Sequence, residues 1–309
     1  MRIGVQLAQV GRLADASAVR RASVAAEQVG YDSVWVLDRL LAPLSPRSDY
    51  PGTPDGSLPG GMERMLDPLG VLAYAAGVTD RVRLGVSVLV APWYRPVPLA
   101  RMLTTIDRLS NGRLMVGLGV GWSLDEYDAA GVPMAERGRR LDETLDVFDA
   151  MWDDEPAAYK GATLRIERSD VQPKPVQRPR PPLLLAAYTP EGLDRVARRG
   201  DGWNPAGMPI DMLAPIWAQV RDAAAGYGRD PDALSLVVRA NITLEDAPID
   251  GARDAYHGNL EQVSEDLAAT AAAGADEVIV GLYSDAKLDE VLDVYAQLAE
   301  NLDRRSSTR

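Results

Sequence analysis

The sequence predicts an α/β chain folded as a single (β/α)8 TIM barrel, with insertions after the second strand and before the fifth. Three observations lead there. Short β-branched apolar runs alternate with helix-length amphipathic segments along the chain, eight such strand–helix units can be counted, and a cap-into-strand pattern recurs. Gly30-x-Asp32-x-Val34-x-Val36 returns as Gly274-x-Asp276-x-Val278-x-Val280, and Gly200-Asp201-Gly202-Trp203 repeats its beginning. Right-handed crossovers permit an open doubly wound sheet or a closed barrel, and eight units favour the barrel. The expected domain spans residues 1–303, with a disordered tail at 304–309.

Each element has a local reason. RIGVQL is the first strand, and the helix from Asp15 to Val29 stops at Gly30, a left-handed cap. DSVWVLD is the second strand. Between Arg39 and Leu66 lies a Pro-, Gly- and Ser-rich loop too long for a plain connector, which reads as a lid or substrate loop or as a flexible insertion. Asp67 and Pro68 then open a helix as N-cap and first helical residue. From Arg81 to Trp122, two apolar strands flank one amphipathic helix, a parallel βαβ unit. A polar linker leads to a helix over 135–152, whose Leu141, Leu145 and Phe148 share a stripe. Residues 153–182 lose the rhythm and read as a small hairpin near Tyr159 followed by an extended proline-rich approach. Strand LLLAA, helix PEGLDRVARRG, strand DGWNP, a helix over 212–227, strand ALSLVVRANITL and a closing helix–strand–helix complete the count.

Composition removes several functions. Without cysteine there is no disulfide, thiolate metal site or cysteine nucleophile. The only histidine, His257, sits in a polar segment and reads as a solvated loop or helix-start residue, so zinc sites and a Ser-His-Asp triad have little to work with, and no metal is expected. A net charge of −12 argues against nucleic acid and acidic membranes and requires any anionic ligand to meet a local pocket. No apolar run approaches the ~20 residues of a membrane span and no leader is recognisable, so a cytoplasmic protein is expected.

Barrel chemistry belongs at the C-terminal strand ends. These are Gln6 to Gln9, Leu37 to Arg39, Ser87 to Ala91, Gly119 to Trp122, Ala186 to Thr189, Trp203-Asn204, Arg239 to Thr243 and Gly281 to Ser284. Most are apolar, aromatic or amide-bearing, a lining that suits a flat conjugated ligand better than hydrolysis. Gly117-x-Gly119-x-Gly121 is followed by Trp122, so the dinucleotide-binding spacing fails. Those glycines serve either close packing or close approach of a ligand. Thr189 and Pro190 open a helix directly after a strand, a place where free N–H groups bind phosphate or where a helix is simply capped. Asp38 and Arg39 read either as a rim ion pair or as groups that hold cofactor N–H groups and an anion. Trp35 reads as core, and Arg137, Arg139 and Arg140 as a solvated helix face or a reach toward phosphate.

The stretches AEQVGYDSVWVLD, TDRVRLGVSVLVAPWYRPVPLARMLTTIDRLSNGRLMVGLGVGW, GVPMAERGRRLDE, QPKPVQRPRPPLLLAA and ARRGDGWNP closely resemble the luciferase-like monooxygenase family in its actinobacterial form. The match is strong over residues 1–205 and looser beyond. That resemblance implies a (β/α)8 barrel using reduced FMN or the deazaflavin coenzyme F420, with the ring across the barrel mouth. In the deazaflavin branch a non-prolyl cis peptide forms a bulge behind the ring, and Ser87-Val88 matches its position. By the same resemblance Ala186, Ala187, Tyr188 and Thr189 would take the cofactor phosphate, while Gly119, Val120, Gly121 and Trp122 would line the ring or its tail. The sequence departs from the branch at two places: Asp38-Arg39 stands where many members have Asp-His, and Trp122 where the dehydrogenases have Glu. Sugar-phosphate dehydrogenation through that His and Glu is therefore not expected, and guanidinium cannot shuttle protons as His does.

The leading expectation is an F420-dependent oxidoreductase passing a hydride to or from a small organic substrate under the loop between residues 40 and 66, with Asp38 and Arg39 as candidate catalytic residues. The runner-up is an FMNH2-dependent monooxygenase, and the third reading is a cofactor-binding protein without turnover. Candidate protein partners are a second copy of the chain, as a homodimer, and a flavin or F420 reductase.

Overall fold

The computed structural model describes residues 1–53, 55–282 and 287–306. Eight parallel strands close a barrel: β1 (Arg2–Gln6), β2 (Ser33–Val36), β3 (Arg83–Val90), β4 (Leu114–Gly119), β7 (Leu183–Leu185), β8 (Gly202–Trp203), β9 (Ser235–Leu244) and β11 (Glu277–Leu282). β8 pairs with β9, and β11 returns to β1. Outside the barrel, β5 (Ala157–Lys160) and β6 (Arg165–Ser169) form the expected antiparallel hairpin, and β10 (His257–Gly258) lies beside β9. The helices are α1 (Ala16–Val29), α2 (Pro68–Ala76), α3 (Pro96–Leu109), α4 (Leu124–Ala129), α5 (Arg137–Trp152), α6 (Pro190–Arg199), α7 (Ile210–Gly226), α8 (Leu260–Ala272) and α9 (Leu288–Ser306).

Alternation along each strand separates two apolar sets. Outward side chains such as Val34, Val36, Leu84, Val116 and Val238 join the helices in one large core. Inward side chains Trp35, Met115, Leu184, Val237 and Ile279 fill the barrel as a tier, and Trp35 is core as expected. Below that tier Glu277, wholly buried, meets Arg83 at 2.5 Å, Arg2 at 3.7 Å and the Ser33 hydroxyl, and the Trp35 indole donates to Ser33 at 2.7 Å. The N-terminal end is thus plugged by a charged network.

Where the sequence suggested a polar linker after Trp122, there is a short helix, α4. Ser123 caps it by accepting from the Glu126 N–H. His257 lies in β10, beside the C-terminal end of β9, with its ring on Glu245 at 3.0 Å. α9 extends to Ser306, and residues 307–309 of the expected tail lie outside the described residues, as do Tyr283 and Ser284.

The loop after β2 is tethered at both ends by one buried residue. The Gln9 amide donates to the carbonyls of Leu37 (2.8 Å) and Leu66 (2.7 Å) and accepts from the Leu37 N–H (2.7 Å). Val10 pairs with Met65. Farther along, Arg47 bonds Asp125 and Asp128, and the Leu124 N–H donates to Ser48 at 3.1 Å. The loop is therefore a strap, held at both ends and docked against α4.

Candidate functional site

Above the apolar tier, the inward positions become polar: Gln6, Ser87, Asn204 and Arg239 are all buried. The Arg239 guanidinium donates to Asn241 (2.9 Å) and to Gln6. Gly281 leaves room for it, since a Cβ there would stand 2.6 Å from Nη2. The Asn204 amide donates to the Val237 carbonyl at 2.6 Å, which fixes its orientation. Its Oδ1 is consequently turned the other way, buried and without a partner among the described residues.

The wall between β3 and β4 is shaped by a register shift between Val86 and Leu89. The Ser87-Val88 peptide within it is cis, as the resemblance implied. Val88 packs over the inward face of β4. A Cβ at Gly117 would lie 2.1 Å from the Val86 carbonyl oxygen, and one at Gly119 2.7 Å from Val88 Cγ2. Close packing against the bulge therefore accounts for these two glycines. Val120 is tied by its carbonyl to the Tyr127 hydroxyl, and Gly121 packs on Val90 with φ of 64°.

Asp38 and Arg39 do not pair with each other; each has a separate role. The Asp38 carboxylate accepts from the Val90 N–H (2.9 Å) and the Tyr94 hydroxyl (3.0 Å). Burial pushes its pKa up to about 7, the nearby charges of Asp67 and Glu126 add to the rise, and the two hydrogen bonds oppose it. Arg39 crosses to α4, where Nη2 meets Glu126 at 3.2 Å and the Leu41 carbonyl at 3.0 Å. Glu126 also accepts from the N–H groups of Leu40 (2.8 Å) and Leu41 (3.3 Å). Burial raises the Glu126 pKa, while Arg39 and these N–H groups lower it. Trp122 lies under the guanidinium, 5.3 Å from ring centroid to Cζ, and Tyr50 from the strap meets it edge-on at 5.4 Å.

On the opposite wall, Ala186 follows β7 and Ala187 turns into the core, its carbonyl accepting from the Trp203 indole at 3.0 Å. The Tyr188 hydroxyl bridges to the next strand end, donating to the Ala206 carbonyl (3.1 Å) and accepting its N–H (2.9 Å). Thr189 caps α6 by accepting from the Gly192 N–H at 3.2 Å. Arg139 and Arg140 pair with Glu136 on the α5 face, and Arg137 donates to the Met134 carbonyl. No His, Cys, Asp and Glu cluster able to hold a metal occurs among the described residues, and no helix among them is long and apolar enough to cross a membrane.

Sequence reasoning passed over Glu126, Tyr94 and the strap residue Tyr50. Only Glu126 left a local trace: Ser123-Leu-Asp-Glu126 has the spacing of an N-terminal capping box, with the carboxylate here used by the strap instead.

With this geometry, residues 2–276 match the family described as luciferase-like monooxygenase. The chain belongs to that family. A relative from Mycobacterium tuberculosis, described as an uncharacterised protein, is 32% identical over 278 residues, covering 90% of this chain and 91% of its own. An F420-dependent glucose-6-phosphate dehydrogenase of Amycolatopsis mediterranei is 30% identical over 219 residues, 68% of this chain and 61% of that one. In fold, this luciferase-like barrel is similar to the monooxygenase RslO1 of Streptomyces bottropensis (TM-score 0.80, 22% identity, 99% and 100% of the two chains). It is also similar to an F420-dependent secondary alcohol dehydrogenase (TM-score 0.79, 16% identity, 97% and 98%).

Proposed function

We propose that this luciferase-like protein is an oxidoreductase that uses coenzyme F420 for hydride transfer to or from a small organic substrate. The observation that carries the reading is the polar tier beneath the bulged β3–β4 wall. It combines an apolar face at Val88 and Gly119 with a buried acceptor, Asn204 Oδ1, and a buried cation, Arg239. A flat heterocycle with N–H and carbonyl edges fits such a donor and acceptor set, and an acidic cofactor finds in Arg239 a local cation within a chain of net charge −12. The loop from Ala186 to Thr189, opening α6, is the expected phosphate end. Bound there, the deazaflavin supplies a ring carbon that accepts or releases a hydride.

The chain's own residues position and protonate. Val88 backs the ring, and the strap excludes water. Asp38, with its pKa near 7, can hold or release a proton at its carboxyl oxygens across the neutral range. The F420-dependent relative supports the deazaflavin over flavin.

Titrating the purified protein with F420 and with FMN, read by cofactor fluorescence, tests this reading. Saturable F420 binding tighter than FMN binding is expected. Binding of FMN alone, with oxygen consumption when reduced FMN is supplied, would replace it by a flavin monooxygenase.

A further inference from the structure

We propose that Tyr94 is the positioning residue of Asp38: its hydroxyl donates to the carboxylate at Oδ1, turns to accept from that oxygen when the carboxyl is neutral, and so fixes where the proton sits. The proposal rests on the reading above that Asp38 holds or releases a proton in this site.

Two donors reach the Asp38 carboxylate, one on each oxygen. The Val90 N–H meets Oδ2 at 2.9 Å and the Tyr94 hydroxyl meets Oδ1 at 3.0 Å. They differ in kind. A backbone N–H can only donate, so Oδ2 accepts in both protonation states, whereas a hydroxyl donates or accepts as required. The proton of a neutral Asp38 therefore belongs on Oδ1, facing Tyr94.

Tyr94 is held firmly enough for this. It follows a 3-10 turn over Ala91–Trp93, its N–H donates to the Ala91 carbonyl at 3.1 Å, its ring packs on the main core, and Pro96 opens α3 two residues on. Burial, and after it the charge of Asp38, raise the pKa of the hydroxyl. Tyr94 thus stays a neutral phenol while Asp38 titrates.

No cation shares the carboxylate. Arg39, its neighbour in the chain, goes to Glu126, and Asp38 forms no ion pair among the described residues. The charges that face it, Asp67 at the cap of α2 and Glu126 on α4, are of its own sign. Tyr94 is consequently the one side chain among the described residues that hydrogen-bonds Asp38 and favours its charged form. Without that hydroxyl the carboxylate keeps a single donor, and the neutral form gains.

Carbon-13 NMR of the cofactor-free protein, with aspartate labelled at Cγ and tyrosine at Cζ, reads both partners. In the wild-type protein the Asp38 signal is expected to titrate near neutral pH and to be absent from Asp38→Asn. One tyrosine signal should move with the same midpoint, as its hydroxyl changes from donor to acceptor. Tyr94→Phe should remove that tyrosine signal and raise the Asp38 midpoint by about one pH unit. A side chain that only filled space would lower Tm and leave the midpoint where it was. A wild-type spectrum in which no tyrosine follows Asp38, or an Asp38 midpoint unmoved or lowered in Tyr94→Phe, would overturn the proposal. The first of these needs no Tyr94 variant to fold. The two readings fail separately: an Asp38 that titrates with the ordinary carboxylates sinks the proton role given to it above, while the coupled tyrosine signal still decides the pairing. Loss of F420 binding touches neither result, because the cofactor is absent.

Discussion

Removing the Glu126 carboxylate should both destabilise the barrel and release the strap docked on α4. Glu126 is 2% exposed and accepts three donors, Arg39 Nη2 and the Leu40 and Leu41 N–H groups. Glu126→Ala leaves a buried guanidinium without its carboxylate and two backbone donors without acceptors. Breaking one side of a buried ion pair costs ~3–5 kcal/mol. With unfolding entropy of about 2.1 cal/mol/K per residue, that loss lowers the Tm of a 309-residue chain by about 5–8 °C. Glu126→Gln keeps an amide oxygen for the two N–H groups and loses only the charge, so it should fall between wild type and alanine. The pairing itself is measured by a double-mutant cycle with Arg39→Gln and Glu126→Gln, followed by urea denaturation. A coupling of about 1–3 kcal/mol is expected for contacting residues. Limited proteolysis should cut the strap between residues 40 and 60 faster in Glu126→Ala. A coupling under ~0.5 kcal/mol, with unchanged proteolysis, would refute the view that this pair holds the strap.

Three further outcomes follow from the geometry. The Asp38 pKa of about 7 lies above the ordinary ~3.9 of an unfolded chain, so between these values the native state binds the extra proton and stability falls as pH rises through that window. Asp38→Asn, which stays uncharged while the Tyr94 hydroxyl turns to accept, should be more stable than wild type at pH 8 but not at pH 4 in urea melts, and should lose any activity limb near pH 7. Gly119→Ala places a methyl 2.7 Å from Val88 Cγ2; overpacking of this kind costs ~1–3 kcal/mol, and cofactor affinity in a fluorescence titration should drop with it. Glu277→Gln breaks the network at the opposite end of the barrel with Arg83 and Arg2. It should lower Tm while leaving the dissociation constant for F420 within twofold of wild type.

The barrel was legible because each strand–helix unit carries its own punctuation. Asp67 and Thr189 cap the helices they were expected to cap, Gly30 takes φ of 99°, and the inward and outward faces follow simple alternation, while Asp15, read only as the start of its helix, is its N-cap. Ser87-Val88 and Trp35 also stand where the sequence put them. What could not be read from the sequence depends on contacts across long separations. Arg39 meets Glu126 across 87 positions, and Gln9 reaches Leu66 across 57. Neither distance has a local period, so Asp38-Arg39 looked like a pair when the two side chains go to different walls. The glycines of β4 had two readings open because the residue that fills their space, Val88, sits on another strand. Asn204 could not be singled out before the Val237 carbonyl had fixed its amide.

The most direct test is a crystal structure of the protein soaked with F420. The account predicts the deazaflavin ring against Val88 and Gly119 above the Asn204–Arg239 tier, with the phosphate at the Ala186 to Thr189 loop. A cofactor bound elsewhere on the protein, or a mouth that takes FMN and leaves F420 out, would contradict it.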